Sequence, residues 1–208
     1  EELTSVGTPR SWMHIAGLSR SRSVAATLLA FVAASAVAPS GARADDTLET
    51  DVTREGRVLH VRATLGADAP ATLCYAVLAD FDRLDDFVPG LISSDVLSAP
   101  GEPIVLHQVG EASAGPFDYT LDVTLAVREH PTERIEFERV EGNLRQMKGS
   151  WTVAGDATHC DIAYLAEIEP AFWVPPLIGP VLMRNRVEKQ LEGVLQEVRR
   201  RAPAAGSP

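Results

Sequence analysis

The period of the apolar positions changes twice along the chain. From Val52 to Leu65 apolar and polar residues partly alternate, with Val58, Leu59, Val61 and Leu65 among charged neighbours. This predicts one strand carrying a turn or bulge at Glu55-Gly56. Asp68-Ala69-Pro70 then supplies a helix start, because Asp can cap and Pro is tolerated in a first turn. A short helix is expected from Ala71 to Ala79, with Leu73, Val77 and Leu78 inward, and a second helical piece from Arg83 to Phe87, stopped by Pro89-Gly90. Beyond it the period becomes two. Leu91–Ser98, Ile104–Ala112, Phe117–Glu129, Arg134–Glu141, Leu144–Ala154 and His159–Ile168 read as six strands separated by Gly- and Pro-containing turns. Connections this short make an antiparallel meander, since parallel neighbours need a crossover of about a dozen residues or more. The third of these strands is the clearest, with Phe117, Tyr119, Leu121, Val123, Leu125 and Val127 on one face and Asp118, Thr120, Asp122, Thr124 and Arg128 on the other. One face is buried and one is wet. Finally a helical period returns from Leu177 to Arg201, where Leu177, Val181, Val187, Leu191, Val194, Leu195 and Val198 form a stripe. Gly179-Pro180 weakens its first turns, so the regular part is expected from Val181.

The amino-terminal part follows none of these periods. After Met13 come Arg20 and Arg22, an uncharged run from Val24 to Ala38, and the small-residue triplet Ala42-Arg43-Ala44. These are the marks of a secretory signal peptide with cleavage after Ala44. The run is shorter than the roughly 18–20 residues of a spanning helix. Residues 1–44 are therefore read as an upstream extension plus signal peptide, 45–202 as a single domain and 203–208 as a disordered tail. The product is expected to be exported, periplasmic or secreted.

Charge narrows the choice of partners. Removing four arginines and two glutamates with the leader takes the net charge from −10 to −12. That sign excludes nucleic acid, which is bound by neutralising phosphates with Lys and Arg. It also excludes strong electrostatic adhesion to anionic membranes. Two cysteines remain, Cys74 and Cys160, and neither has His or Cys at metal-ligand spacing, so no metal site is expected. In an exported protein they are either a disulfide or two separate buried thiols.

The sequence has no Ser, His and Asp arrangement, no Gly-rich phosphate loop and no His-x-x-x-His spacing. His130 and His159 fall at turns and His60 on the first strand, all expected to be solvated, while the parity of His107 leaves its face open. No catalytic residue and no cofactor are assigned.

The order strand, two short helices, six antiparallel strands and a long carboxy-terminal helix resembles the START-like (helix-grip) superfamily, which includes polyketide cyclases/dehydrases, coenzyme-Q-binding proteins and lipid-transfer domains. The resemblance spans Val52 to Ala202. It is carried further by Tyr75-Ala76-Val77-Leu78-Ala79-Asp80-Phe81, by Gly115-Pro116-Phe117, by Gly149-Ser150-Trp151 and by the prolines before the last helix. It implies an α+β helix-grip fold: a curved seven-stranded antiparallel sheet wrapped around the long helix, with two short helices after the first strand and a cavity between sheet and helix. By strand parity the ligand-binding cavity would be lined by Phe117, Tyr119, Leu121, Val123, Phe137, Met147, Trp151 and Tyr164, with Arg139 at its end. The same topology places the start of the last strand near the first helix, which would bring Cys160 to Cys74 as a disulfide.

Phe172, Trp173 and Leu177, set among prolines between the last strand and the long helix, form either a gate that touches membrane or a hydrophobic plug. The resemblance implies an exported binding or transfer protein for a hydrophobic small molecule (lipid, quinone, sterol-like or polyketide-like), with transient membrane contact. The alternative is a polyketide cyclase or dehydratase.

Overall fold

The computed structural model describes residues 47–114, 117–174 and 178–202, with side chains throughout except at 112–114 and 117–118. The candidate leader, the tail 203–208, Leu177 and the side chain of Phe117 lie outside the described residues.

Eight strands form one antiparallel sheet: β1 Leu48–Glu55, β2 Val58–Ala67, β3 Leu91–Val96, β4 Ile104–Ala114, β5 Phe117–His130, β6 Arg134–Gly142, β7 Leu144–Gly155 and β8 Cys160–Pro170. Their spatial order is β1-β2-β8-β7-β6-β5-β4-β3. The fold is the helix-grip type, but with eight strands where the pattern predicts seven. The expected single first strand is a hairpin, in which Glu55 pairs with Val58 and Gly56 turns the chain at φ 60°. That backbone region costs glycine little and other residues more. The inner positions of β1 are Leu48, Thr50, Val52 and Arg54, so only two of four are apolar and its alternation is faint.

The helices cover one face of the sheet. α1 spans Ala71–Leu78, a 3₁₀ helix spans Phe81–Asp86, and α2 spans Gly179–Arg201. On α2 the residues Val187, Leu191, Val194, Leu195 and Val198 are buried, and the helix lies against β1, β2, β4 and α1. Val181, placed on that stripe by spacing, is 56 % exposed. The packed face runs through Gly179, Met183, Val187 and Leu191, four residues apart, and Val181 lies off that line. At the other end Glu197 is buried and accepts hydrogen bonds from Arg200 and Arg201, while Arg201 also bonds Asp80 at 2.7 Å. This ties the last turn of α2 to the corner between α1 and the 3₁₀ helix. Cys74 of α1 and Cys160 of β8 are joined by a disulfide, with Cα atoms 6.7 Å apart, and both are fully buried.

Candidate ligand cavity

Each strand between β2 and β8 turns its apolar residues to α2, and the helical corner closes the space from the side. The result is an interior cavity of about 160 Å³. Leu106, Leu125, Ile135, Phe137, Trp151 and Tyr164 form its sheet wall; Leu78, Phe81, Leu84 and Val88 form the corner; Val187, Leu191 and Val194 form the helix wall. A Tyr164–Trp151 contact at 4.2 Å between ring centroids and a Phe137–Tyr164 contact at 6.2 Å fix the aromatic side. Burial pushes the Tyr164 hydroxyl well above its ordinary pKa, so it is a neutral donor at any ordinary pH. The other polar side chains in the wall are Gln108, whose Nε2 donates to Ser94 Oγ at 3.1 Å, Gln190 of α2 and Trp151 with its indole N–H.

Gly149 sets the depth of the wall. It has the inward parity of Met147 and Trp151, and a Cβ there would lie 2.6 Å from Phe137 Cζ and 2.2 Å from the Leu165 carbonyl oxygen. The missing side chain therefore lets the tip of the Phe137 ring approach β7 at Gly149.

Of the lining expected from parity, Phe137, Met147, Trp151 and Tyr164 stand in the cavity wall. Val123 is buried in the core without reaching it, and Tyr119 and Leu121 are half-buried further along β5. The cavity of about 160 Å³ does not extend to these three: it ends near Gln108 and Leu125, where α2 and the segment after the 3₁₀ helix come down on the sheet. Arg139 keeps the inward parity of Ile135 and Phe137 and pairs with Leu125 of the cavity wall, just before the bulge that leaves Val140 over. Its Nη2 donates to the Gly142 carbonyl at 3.0 Å, so the guanidinium turns to the end of its own hairpin and is not part of the cavity lining.

The wall residues from the helical corner and the two glutamines were not assigned from sequence. Period-two counting cannot see a wall built by helices, although Gln108 shares its parity with Leu106, and Gln190 follows Val187 by three positions. Between β8 and α2, Phe172 is half-buried and stacks on Tyr119, while Trp173 is 72 % exposed and the Val174 carbonyl accepts from Arg54 at 3.0 Å.

The histidines lie elsewhere. His107 is on the outer face, its Nε2 3.1 Å from Asp122 Oδ1, and His60, His130 and His159 likewise face carboxylates outside the cavity. A larger depression of about 890 Å³ on the outer face is walled by charged side chains such as Arg62, Arg128, Glu136, Glu138 and Lys148. Such a surface suits water rather than an apolar molecule. Among the described residues no group of His, Cys, Asp and Glu is arranged to hold a metal ion.

The family model described as polyketide cyclase / dehydrase and lipid transport matches residues 67–194. No curated protein matches. Among solved structures, a START superfamily protein from Mycobacterium smegmatis is similar with TM-score 0.59 at 15% identity, over 68% of this chain and 97% of that one. The Zhui aromatase/cyclase of a Streptomyces species gives 0.57 at 22%, over 73% and 99%. A STAR-related lipid transfer protein fragment from Xanthomonas axonopodis gives 0.54 at 14%, over 72% and 98%. Identities this low establish a shared fold.

Proposed function

The chain belongs to the polyketide cyclase / dehydrase and lipid transport family, and from that premise we propose that it is an exported protein that binds or transfers a hydrophobic small molecule held between the sheet and α2. The observation that carries this is the interior cavity, whose described wall is apolar except for two glutamines, the Tyr164 hydroxyl and the Trp151 indole N–H. An apolar enclosure with a few placed polar groups suits a greasy ligand that is oriented by one or two hydrogen bonds.

The volume, about 160 Å³, is below the roughly 300–1,000 Å³ of common ligand pockets. It suits an apolar group about the size of benzene, which an engineered cavity of about 150 Å³ takes up. A longer ligand requires the wall to give at Met147, whose unbranched thioether adapts. The test is displacement of an apolar fluorophore by lipid extract, compared with a Met147→Trp variant that fills the space. Loss of binding in the variant supports the cavity, and unchanged binding puts the probe elsewhere.

A cyclase needs a general base or nucleophile inside the pocket. The described wall offers Gln108, Gln190 and a Tyr164 hydroxyl whose pKa is raised, none of them a base at neutral pH. This favours binding or transfer. Export is supported by the leader pattern, and the disulfide agrees with it, since such bonds persist in oxidising compartments. No described helix is long and apolar enough to cross a membrane. The proposed lip is the exposed set Trp173, Ile178 and Val181 around the start of α2, with Phe172 as its inner leaf. Contact through these residues would be driven by apolar burial and so be only weakly sensitive to salt.

A further inference from the structure

Arg186 has no role in the fold that accounts for its position. It lies one helical turn before Gln190 and is half-buried, over the faces of two glycines. A Cβ at Gly110 would come within 3.0 Å of its Nη2, and one at Gly90 within 3.9 Å of both Nη1 and Nη2. A guanidinium carries five N–H donors. The hydrogen bond this one makes to protein, from Nη2 to the Gly90 carbonyl, is long at 3.4 Å.

Arg184, Arg200 and Arg201 on the same helix each pair with a glutamate. Arg186 has no carboxylate within ion-pairing distance among the described residues, and burial lowers its pKa with no acid to offset the effect. Even so lowered, an arginine remains charged at neutral pH and neither gives nor takes a proton there. Its chemistry is binding.

The register fixes where this charge lies. On β4 the residues Leu106, Gln108, Gly110 and Ala112 share one parity and pair with Leu125, Val123, Leu121 and Tyr119 of β5. Gly110 also pairs with Leu91, a residue of the cavity wall. The guanidinium over Gly110 therefore stands between the Gln108 level, where the cavity ends, and the Tyr119–Phe172 stack. It forms a polar collar at one end of an apolar chamber. A planar fork with its N–H groups unspent matches the two oxygens of a carboxylate. A phosphate carries more charge than this one cation offsets; the cavity lining itself holds no Lys or Arg among the described residues, and Arg186 stands just past its end, one turn from the lining residue Gln190.

We infer that Arg186 is the headgroup site of this cavity and that the ligand is an amphipathic carboxylate, its acid group on the guanidinium and its apolar end in the chamber walled by Phe137, Trp151 and Tyr164. The inference rests on the reading of the cavity as a ligand site.

Calorimetric titration of the purified protein with octanoate, octanol and octyl phosphate separates the two. Octanoate is expected to bind more tightly than octanol by about tenfold or more, as for a charge-assisted hydrogen-bonded pair. Arg186→Gln should remove that preference and leave octanol unchanged, and Arg186→Lys should retain only part of it. The comparison in the wild-type protein decides by itself if a variant fails to fold. Equal binding of octanoate and octanol, or a preference that survives in Arg186→Gln, overturns the headgroup site and leaves the cavity reading intact. Clearly tighter octyl phosphate overturns the assignment to a carboxylate. Failure of all three to bind overturns the cavity reading together with the inference.

Discussion

The rings of Tyr119 and Phe172 stack with centroids 4.2 Å apart and planes within 7° of parallel. Through this contact β5 touches the connection between β8 and α2, just beyond the level where Arg186 lies over Gly110. Trp173, the next residue, points into solvent. For a gate, the two aromatics should behave differently. Trp173→Ala is expected to change stability by no more than about 0.5 kcal/mol, as at other exposed sites, and to slow transfer of a hydrophobic ligand between vesicles. Phe172→Ala should cost about 1 kcal/mol, the worth of an aromatic pair, and alter the rate of ligand exchange more than equilibrium binding. A loss of several kcal/mol with unchanged transfer would make the segment a plug.

Gly149 is expected to be the least replaceable glycine of the cavity. In Gly149→Ala the new methyl meets the Leu165 carbonyl and the Phe137 ring, so either β7 separates from β8 or Phe137 swings into the chamber. A destabilisation of about 1–3 kcal/mol, as for overpacking, should come with weaker fluorophore binding. Thermal unfolding and a binding titration on the same sample measure both.

The sheet was legible because long stretches of β5 to β8 keep a period of two between bulges and the turns carry Gly or Pro. Phe137, Met147, Trp151 and Tyr164 followed from parity alone. The β1–β2 hairpin was not resolved as two strands, because Thr50 and Arg54 break the apolar alternation on the inner face of an edge strand. Arg139 does share the inner parity of Phe137, but its guanidinium bonds the Gly142 carbonyl at the hairpin end, a local contact that parity does not show. Arg186 was passed over because on a helical projection it reads as one more charge beside the stripe. Only the two glycines beneath it, distant in sequence, distinguish it from Arg184.

The Cys74–Cys160 bond closes a sequence separation of 86 residues. Loop entropy then predicts on the order of 4 kcal/mol of stabilisation, less any strain. Replacing both cysteines by alanine should lower the denaturation midpoint accordingly. Natively exported protein should show no reactive thiol after unfolding without reductant, and two reactive thiols would rule the bond out.

Hydrogen bonds from Arg200, and then from Arg201, hold the Glu197 carboxyl at a pKa of about 2 against an ordinary 4.5. A carboxyl whose pKa is lower in the folded state stabilises fully above its unfolded value and loses that contribution as pH falls towards the folded value. Glu197→Gln should therefore cost about 1–3 kcal/mol at neutral pH, as expected for hydrogen bonds to a charged group. The difference from wild type should shrink below about pH 4.5 and vanish near pH 2. Urea denaturation at a series of pH values gives the curve, and a difference independent of pH would show that the network is not what stabilises this corner.

A molecule held between sheet and α2 should come away on organic extraction of the protein purified from its native host and be identified by mass spectrometry of the extract, with Met147→Trp prepared in parallel. One apolar compound, or a narrow class carrying an acid group, is expected at near-equimolar amount from the wild type and depleted from the variant. An extract indistinguishable from buffer, or the same compounds in the same amount from both proteins, would contradict a ligand held there.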